Sequence, residues 1–233
     1  MEMAVLVRRV LLGTMMLCLA AVVRADGLEY RYEVGAMVGA GSYYGDANYT
    51  SPLNNFGFMG GALFRYNINP RMAVKADFAV ARISGTTVGG DYTFPGGDAG
   101  FARMLYELGA QYECHFLAYG DGTGYKQSRR VAPYFLVGLG LTYAPAPAKH
   151  LFTPNVPVGI GLKWKVAPRL NFGCELSYRF TFSDNLDVVN GVGAVLDDPY
   201  GINSGLMKNK DGYSFLSVFL TYDLSPKYRK CNN

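Results

Sequence analysis

Eight segments of the chain alternate between apolar side chains and small or polar ones, and this period of two constrains the fold more than any other feature. Since neighbouring residues of a β-strand point to opposite faces, the pattern predicts strands with one apolar and one polar face. In the clearest segment, Met104, Tyr106 and Leu108 alternate with Arg103 and Glu107. The predicted strands are Leu28–Gly41, Phe56–Ile68, Met72–Ser84, Arg103–Phe116, Tyr134–Tyr143, Val156–Val166, Leu170–Ser183 and Tyr213–Leu224.

The lengths of the connections alternate as well. Asn69–Arg71 and Ala167–Arg169 are predicted tight turns, and the longer connection Leu117–Ala132 falls at the same end. The other end has only long loops, which are Ser42–Asn55, Gly85–Gly100, Ala144–Asn155 and Asp184–Gly212. An even number of strands with short turns at one end and long loops at the other is typical of outer-membrane barrels. We therefore predict an all-β fold, an eight-stranded antiparallel up-and-down transmembrane β-barrel.

A soluble barrel or a lipocalin-like sandwich alternates in the same way, so the composition of the two faces has to decide. The apolar face carries Tyr and Phe at the strand ends, as in the aromatic girdles of membrane barrels. The other face is rich in Gly and nearly balanced in charge, as a lumen needs if its charges are to pair. The predicted lumen charges are Arg31, Arg65, Lys75, Arg103, Lys163, Lys165 and Arg179 against Glu33, Asp77, Glu107, Glu113, Glu175 and Asp223.

Composition excludes other classes of protein. No stretch of 18 or more apolar residues occurs, so a helical membrane protein is not predicted. The 18 Tyr, 14 Phe and 29 Gly do not form a chain of low hydrophobicity and high charge, which excludes intrinsic disorder. A net charge of only +4 is too weak to indicate nucleic-acid binding.

The first 25 residues are predicted to be a secretory signal peptide. Arg8 and Arg9 precede an apolar stretch, Val10–Val23, that is too short to span a membrane as a helix. Val23-Arg24-Ala25 then offers a cleavage site. We expect three parts: a signal peptide (1–25), a transmembrane barrel (26–224) and a basic periplasmic tail (225–233).

No residue is predicted to be catalytic, to bind a cofactor or to hold a metal. The two histidines, His115 and His150, have no Ser or Cys partner at a spacing typical of a catalytic triad. The Gly-Leu-Gly and Gly-Ile-Gly steps at Gly138 and Gly159 lie inside predicted strands, which indicates close packing and not a dinucleotide site. We therefore expect a protein that is not an enzyme.

Three cysteines follow the predicted signal peptide: Cys114, Cys174 and Cys231. Their spacing matches no zinc site. Cys114 and Cys174 fall on the lipid-facing side of the fourth and seventh strands, which are not neighbours in an eight-stranded barrel. Since a disulfide needs Cα atoms within about 7 Å, we expect these two not to pair and to serve as small apolar side chains.

The two ends of the predicted barrel differ in charge. The long loops, expected to be extracellular, are acidic, with Asp46, Asp91, Asp98, Asp184, Asp187, Asp197, Asp198 and Asp211. The short-turn end, expected to be periplasmic, is basic. Six of its residues are predicted to bind a partner protein: Lys126, Arg129, Arg130, Lys227, Arg229 and Lys230. A basic rim that contacts anionic lipid headgroups explains the same charges equally well.

Short motifs are spread along the chain, and their order is more specific than any one of them. They are Tyr32-Glu33-Val34-Gly35, Asn67-Ile68-Asn69-Pro70-Arg71, Phe101-Ala102-Arg103, Ala132-Pro133-Tyr134-Phe135 with Gly138-Leu139-Gly140, Pro157-Val158-Gly159-Ile160-Gly161-Leu162-Lys163, Glu175-Leu176-Ser177-Tyr178-Arg179, Asp197-Asp198-Pro199-Tyr200 and Asp211-Gly212-Tyr213. This order resembles the PorG-type outer-membrane barrels of the type IX secretion system. The resemblance implies an accessory component that anchors a periplasmic ring of PorK and PorN, with no enzymatic activity and no cofactor.

The predicted function is therefore a non-enzymatic component of a type IX-like secretion apparatus in the outer membrane of a Gram-negative cell. Its expected partners are periplasmic ring proteins of the PorK–PorN type and outer-membrane lipids. Two alternatives stay open: an outer-membrane barrel enzyme that processes lipid or peptide, and a small passive channel. Eight strands leave an interior that side chains just fill, so a wide pore is not expected.

Overall fold

The computed structural model describes residues 30–45, 56–86, 100–120, 128–146, 150–183, 186 and 211–226. The predicted signal peptide and residues 227–233 of the predicted tail lie outside this part of the chain. The strands are β1 (Tyr30–Tyr44), β2 (Gly57–Asn69), β3 (Met72–Thr86), β4 (Gly100–His115), β5 (Val131–Ala144), β6 (Leu151–Ala167), β7 (Leu170–Thr181) and β8 (Gly212–Pro226). The described residues contain no helix that is long and apolar enough to cross a membrane.

The eight strands form one closed antiparallel barrel in which each strand pairs with its neighbours in the sequence. The last strand closes the ring against the first, with a register that runs from Tyr30 opposite Pro226 to Tyr44 opposite Gly212. The β2–β3 and β6–β7 connections are tight turns at Pro70-Arg71 and Pro168-Arg169. The predicted eight-stranded up-and-down topology is confirmed. We call the end with these two turns the short-turn end, and the other end the long-loop end.

The main departure from the predicted strand limits is at the start of β6. The sequence predicts a loop up to Asn155, but β6 begins at Leu151 and pairs with the end of β5. The added segment pairs with β5 from Leu151 opposite Ala144 to Asn155 opposite Gly140. Inside the barrel, the Asn155 side-chain amide also donates to the Thr142 hydroxyl at 2.7 Å.

Side-chain polarity is reversed relative to a soluble protein. Large apolar side chains cover the outside, and Phe58, Leu139 and Ile160 are 72%, 71% and 62% exposed. Ionic side chains such as Arg65 and Glu113 are completely buried inside. In a closed barrel the backbone N–H and C=O groups are paired between neighbouring strands, so the backbone tolerates lipid. The apolar outer surface is likewise suited to lipid and not to water. This distribution is that of a transmembrane barrel and argues against the soluble alternative.

The glycines that repeat along the inner faces of the strands are sites of close approach, as predicted for Gly138 and Gly159. A Cβ atom added at Gly138 would lie 2.7 Å from the Gln111 Cα atom, and one at Gly159 would lie 2.6 Å from the Ser177 Cβ atom. Real Cβ atoms do not approach so closely. The neighbouring strand therefore leaves no room for a side chain at these two positions.

Candidate functional site

The barrel interior is filled with charged side chains, nearly as the alternation predicts. All of the predicted lumen charges are buried except Arg31, which is exposed. Arg31 follows the first residue of β1, at the rim, where the wall no longer encloses its inner face. The prediction for Arg31 is therefore wrong, and the remaining set is balanced. It consists of Arg65, Lys75, Arg103, Lys163, Lys165 and Arg179 with Glu33, Asp77, Glu107, Glu113, Glu175 and Asp223.

One ion pair crosses the interior from wall to wall. Lys75 on β3 donates from Nζ to both carboxylate oxygens of Glu175 on β7, at 2.8 and 2.6 Å. These two strands lie on opposite sides of the ring. The Tyr134 hydroxyl on β5 donates to the same carboxylate at 2.8 Å. Since a buried ion pair is stable only when its remaining hydrogen-bonding capacity is used, this cluster ties three parts of the wall together.

A second cluster is centred on Glu33 of β1. Its carboxylate accepts hydrogen bonds from Arg65 Nη1 at 2.9 Å and Asn67 Nδ2 at 2.7 Å, and it also pairs with Lys163 of β6. Arg65 continues to Glu113 of β4, with its Nε atom 2.7 Å from Oε2 and its Nη2 atom donating to Oε1 at 3.0 Å. Four strands are thus linked through one chain of alternating charges.

The third cluster lies nearer the long-loop end. Arg179 donates from Nε to Glu107 at 3.2 Å, and the Tyr213 hydroxyl donates to the same carboxylate at 2.6 Å. The Arg179 guanidinium also lies 4.1 Å from the centre of the Phe215 ring. Together with the two clusters above, these contacts join opposite walls at successive heights. Within the described residues, the interior is a packed polar core.

The described part of the β4–β5 connection, residues 116–120 and 128–130, lies at the short-turn end of the barrel. Tyr119 of this connection points to the interior, where its hydroxyl donates to Asn171 Oδ1 at 2.5 Å and its ring lies 4.4 Å from Lys163 Nζ. Its backbone N–H donates to the Pro70 carbonyl of the β2–β3 turn at 2.8 Å. The residues around Tyr119 are therefore anchored at the barrel mouth. The sequence predicts only a long connection here and gives no signal for the role of Tyr119.

A buried carboxylate, that of Asp211, lies at the long-loop end. Asp211 accepts hydrogen bonds from the Tyr43 hydroxyl at 2.6 Å and from the Leu186 backbone N–H at 2.8 Å, and Arg103 Nη1 donates to the Leu186 carbonyl at 3.2 Å. Leu186 and Asp211 are both buried. Asp211 lies at the long-loop end, as the sequence predicts, but it is buried and adds no charge to the loop surface. Its companions Asp46, Asp91, Asp98, Asp184, Asp187, Asp197 and Asp198 lie outside the described residues.

Of the six predicted partner-binding residues, Arg129 and Arg130 lie in the described part of the chain, and both are exposed. They are next to the Tyr119 anchor, because Arg129 donates from its backbone N–H to the Ala118 carbonyl at 2.7 Å and accepts from Gly120 at 3.1 Å. The other four, Lys126, Lys227, Arg229 and Lys230, lie outside the described residues.

Arg71 and Arg169, in the two tight turns, are also exposed at this end. A hydrogen bond from the guanidinium to the Tyr222 hydroxyl, 3.4 Å long, raises the pKa of Arg169 above its ordinary value. Arg31, at the start of β1, is exposed at the same end, so all five described arginines of the short-turn end present positive charge there.

The two histidines are at opposite ends of the barrel. His115 is buried at the short-turn end, with Nε2 3.6 Å from Glu113 Oε2, while His150 is exposed at the long-loop end and stacks on Tyr143. The structure therefore does not bring them into one site. Within the described residues, no group of three or more His, Cys, Asp or Glu is arranged to hold a metal.

The cysteines follow the predicted arrangement in part. Cys114 on β4 and Cys174 on β7 do not form a disulfide with each other, which confirms that prediction. Both have the outward phase that the sequence predicts, with Cys174 exposed on the outer face and Cys114 half-buried. Cys231 lies outside the described residues.

Several solved barrels are similar to this chain at low identity. Neisserial surface protein A (NspA) is 16% identical with a TM-score of 0.48, covering 83% of this chain and 97% of its own. Ail of Yersinia pestis, in complex with the heparin analogue sucrose octasulfate, is 12% identical with a TM-score of 0.47 and covers 84% and 100%. The N-terminal β-barrel domain of Pseudomonas aeruginosa OprF is 11% identical with a TM-score of 0.43 and covers 82% and 97%. Because all three TM-scores are below 0.5, no functional conclusion is drawn from these likenesses.

A sequence-family model matches nearly the whole chain. No curated protein sequence matches the chain. The family described as "Domain of unknown function (DUF6089)" matches residues 8–233, which include every described strand. The chain therefore belongs to the DUF6089 family.

Proposed function

We propose that this protein is a non-enzymatic barrel of the bacterial outer membrane that docks an acidic periplasmic protein at its short-turn end. In a type IX-like secretion apparatus, as the motif order suggests, that protein is a ring component of the PorK–PorN type. The observation that carries the proposal is the exposure of Arg129 and Arg130 in the described part of the β4–β5 connection, next to Tyr119, which is anchored at the barrel mouth.

A fixed connection favours docking because its binding groups lose little conformational freedom when a partner binds. Tyr119 anchors the segment to Asn171 of β7, and the backbone N–H of Lys165 donates to the Arg130 carbonyl at 2.8 Å. Arg129 and Arg130 therefore sit on a platform that is supported by β6 and β7. A rim that only collects mobile lipid headgroups has no need of such an anchor.

The position of the predicted tail also supports a wide docking surface. The tail follows β8, which ends at Pro226 opposite Tyr30 of β1, whereas Arg129 and Arg130 lie between β4 and β5. These two places are on opposite sides of the eight-stranded ring. Two basic groups on opposite sides of one rim suit a partner that covers the barrel mouth.

The packed interior favours an anchoring role over transport. Lys75 and Glu175 join opposite walls, Tyr119 bonds to Asn171 inside the short-turn end, and Asp211 is buried at the long-loop end. A solute would have to break several buried ion pairs to pass, which costs several kcal/mol for each. The barrel is therefore proposed as a rigid membrane anchor.

Reversing the six predicted partner-binding residues to Glu should weaken recovery of the ring proteins with the barrel by about tenfold or more, since like charges across an interface repel. The residues are Lys126, Arg129, Arg130, Lys227, Arg229 and Lys230. Crosslinked ring proteins and secreted cargo are quantified from native membranes. Binding of the unmodified chain should also weaken with salt, because exposed charges are screened beyond about 8 Å at physiological ionic strength.

The matched control reverses Lys149, Lys208 and Lys210, the lysines of the predicted long loops, and should leave both recovery and secretion unchanged. A heat-modifiable gel shift confirms that each variant still forms the barrel. If secretion and ring recovery survive the six reversals, the short-turn end is a lipid-facing rim and docking through it is wrong.

A further inference from the structure

The outer surface has a hollow of about 490 Å³ between β2, β3 and β4, lined by Phe58, Gly60, Val80, Arg82 and Met104. Its volume is within the range of about 300–1,000 Å³ that is usual for small-molecule sites. All five positions face outward in the alternation, on the side that faces lipid. The hollow is therefore open to the membrane and not to the lumen.

Gly60 creates the hollow. It lies between Val38 of β1 and Val80 of β3 in the cross-strand register, and it is the member of this row that has no side chain. The nearest heavy atoms to a Cβ atom at Gly60 would be two atoms of the Phe58 ring, at 3.4 and 3.6 Å, and the Met37 carbonyl oxygen, at 3.8 Å. A Cβ atom therefore has room here, so close approach of the neighbouring strands does not explain the glycine.

Arg82 gives the hollow a positive end. Among the described strand residues, it is the only charged side chain at an outward-facing position, and it forms no ion pair with another described residue. It lies opposite Met104 of β4. An arginine on the lipid face is costly at the bilayer centre and tolerated near the interface.

The height of Arg82 places it at that interface. It is ten residues beyond Met72, the first residue of β3 at the short-turn end. With a rise of about 3.3 Å per residue and a tilt of about 40°, Arg82 is about 25 Å above the start of the strand. An outer-membrane barrel has an apolar band about 25 Å tall, so the guanidinium is level with the headgroups of the far leaflet.

We propose that Arg82 and the hollow at Gly60 bind a phosphorylated glycolipid of the outer leaflet, of the lipid A type. The guanidinium takes a phosphate group in a bidentate contact, for which its planar fork is suited. An acyl chain of the same molecule fills the hollow beside Phe58 and Val80. The site depends on the barrel crossing the outer membrane in the proposed orientation, and it is independent of the docking at the other end.

The test uses the full chain without its predicted signal peptide, folded in zwitterionic detergent micelles. Its probes are diphosphoryl lipid A and fully dephosphorylated lipid A, with binding measured by native mass spectrometry. Arg82→Gln should weaken binding of the phosphorylated probe by about tenfold or more and leave the dephosphorylated probe nearly unaffected. Gly60→Leu, which fills the hollow and keeps Arg82, should weaken binding of both probes. Arg31→Gln, an exposed arginine near the opposite end, is the matched control and should change neither.

Other outcomes overturn the proposal. Equal affinity of the unmodified chain for the two probes shows that the phosphate is not recognised, and equal affinity of Arg82→Gln shows that Arg82 does not recognise it. Unchanged binding by Gly60→Leu removes the acyl-chain part. Competition by millimolar inorganic phosphate shows an anion site without a lipid. Arg82→Lys, which keeps the charge, serves if Arg82→Gln does not fold, and it should lose part of the preference for the phosphorylated probe because the bidentate contact is lost.

Discussion

Replacing Lys75 with methionine should destabilise the barrel by about 3–5 kcal/mol, which is the largest effect expected from a single side chain. The substitution leaves the Glu175 carboxylate buried inside the barrel without the ammonium group that contacts both of its oxygens. The free energy of unfolding is measured by urea titration of the protein folded into lipid vesicles, with tryptophan fluorescence from Trp164 as the signal.

The double variant Lys75→Met with Glu175→Gln is the control. It removes both charges, and the glutamine oxygen still accepts the hydrogen bond from the Tyr134 hydroxyl, so most of the lost stability should return. If Lys75→Met costs less than about 1 kcal/mol, or if the double variant is no more stable than the single one, the ion pair across the interior is not a major support of the fold.

Replacing Leu108 with lysine should destabilise the folded protein in a bilayer by about 2–4 kcal/mol, because the new charge would lie in hydrocarbon. Leu108 is 60% exposed and lies in the middle of β4. A soluble barrel would respond in the opposite way, since an exposed leucine there would contact water and lysine would be tolerated. The same unfolding titration in vesicles measures the effect.

Phe116→Lys provides the comparison within the same segment. Phe116 is 65% exposed and directly follows the last residue of β4, so its side chain is at the membrane interface. A lysine there should cost only about 0–1 kcal/mol. Equal costs at the two positions would contradict the placement of the membrane around the middle of the strands.

The alternation of side chains was enough to predict the strands, because lipid outside and a polar core inside impose opposite chemistry on successive residues. The alternation predicted burial wrongly at the two ends of the barrel, where lipid no longer surrounds the wall. Arg31 has the inward phase, but it lies at the rim, beyond the enclosed interior. Asp211 precedes β8 in what the sequence suggests is an acidic loop, yet the barrel mouth buries it against Tyr43. The inward or outward position of a residue in the alternation does not indicate how far along the strand the barrel interior is enclosed.

The pairing of lumen charges could not be predicted from the sequence. Lys75 and Glu175 are 100 residues apart in the chain and meet because β3 and β7 face each other across the ring. Their contact depends on the stagger of strands around the barrel and on side-chain rotamers. Tyr119 was missed for the same reason, since its partner Asn171 belongs to a distant strand. The hollow beside Arg82 likewise depends on the register that places Gly60 opposite Val80.

Fractionation of cells that produce the protein tests whether the chain crosses the outer membrane as a closed barrel. We expect the protein to sediment with outer membranes after carbonate extraction. It should also migrate faster in an unboiled detergent gel than in a boiled one, because a closed barrel resists unfolding by the detergent. If the protein is freely soluble after cell lysis and migrates identically in both gels, it is not a membrane-spanning barrel.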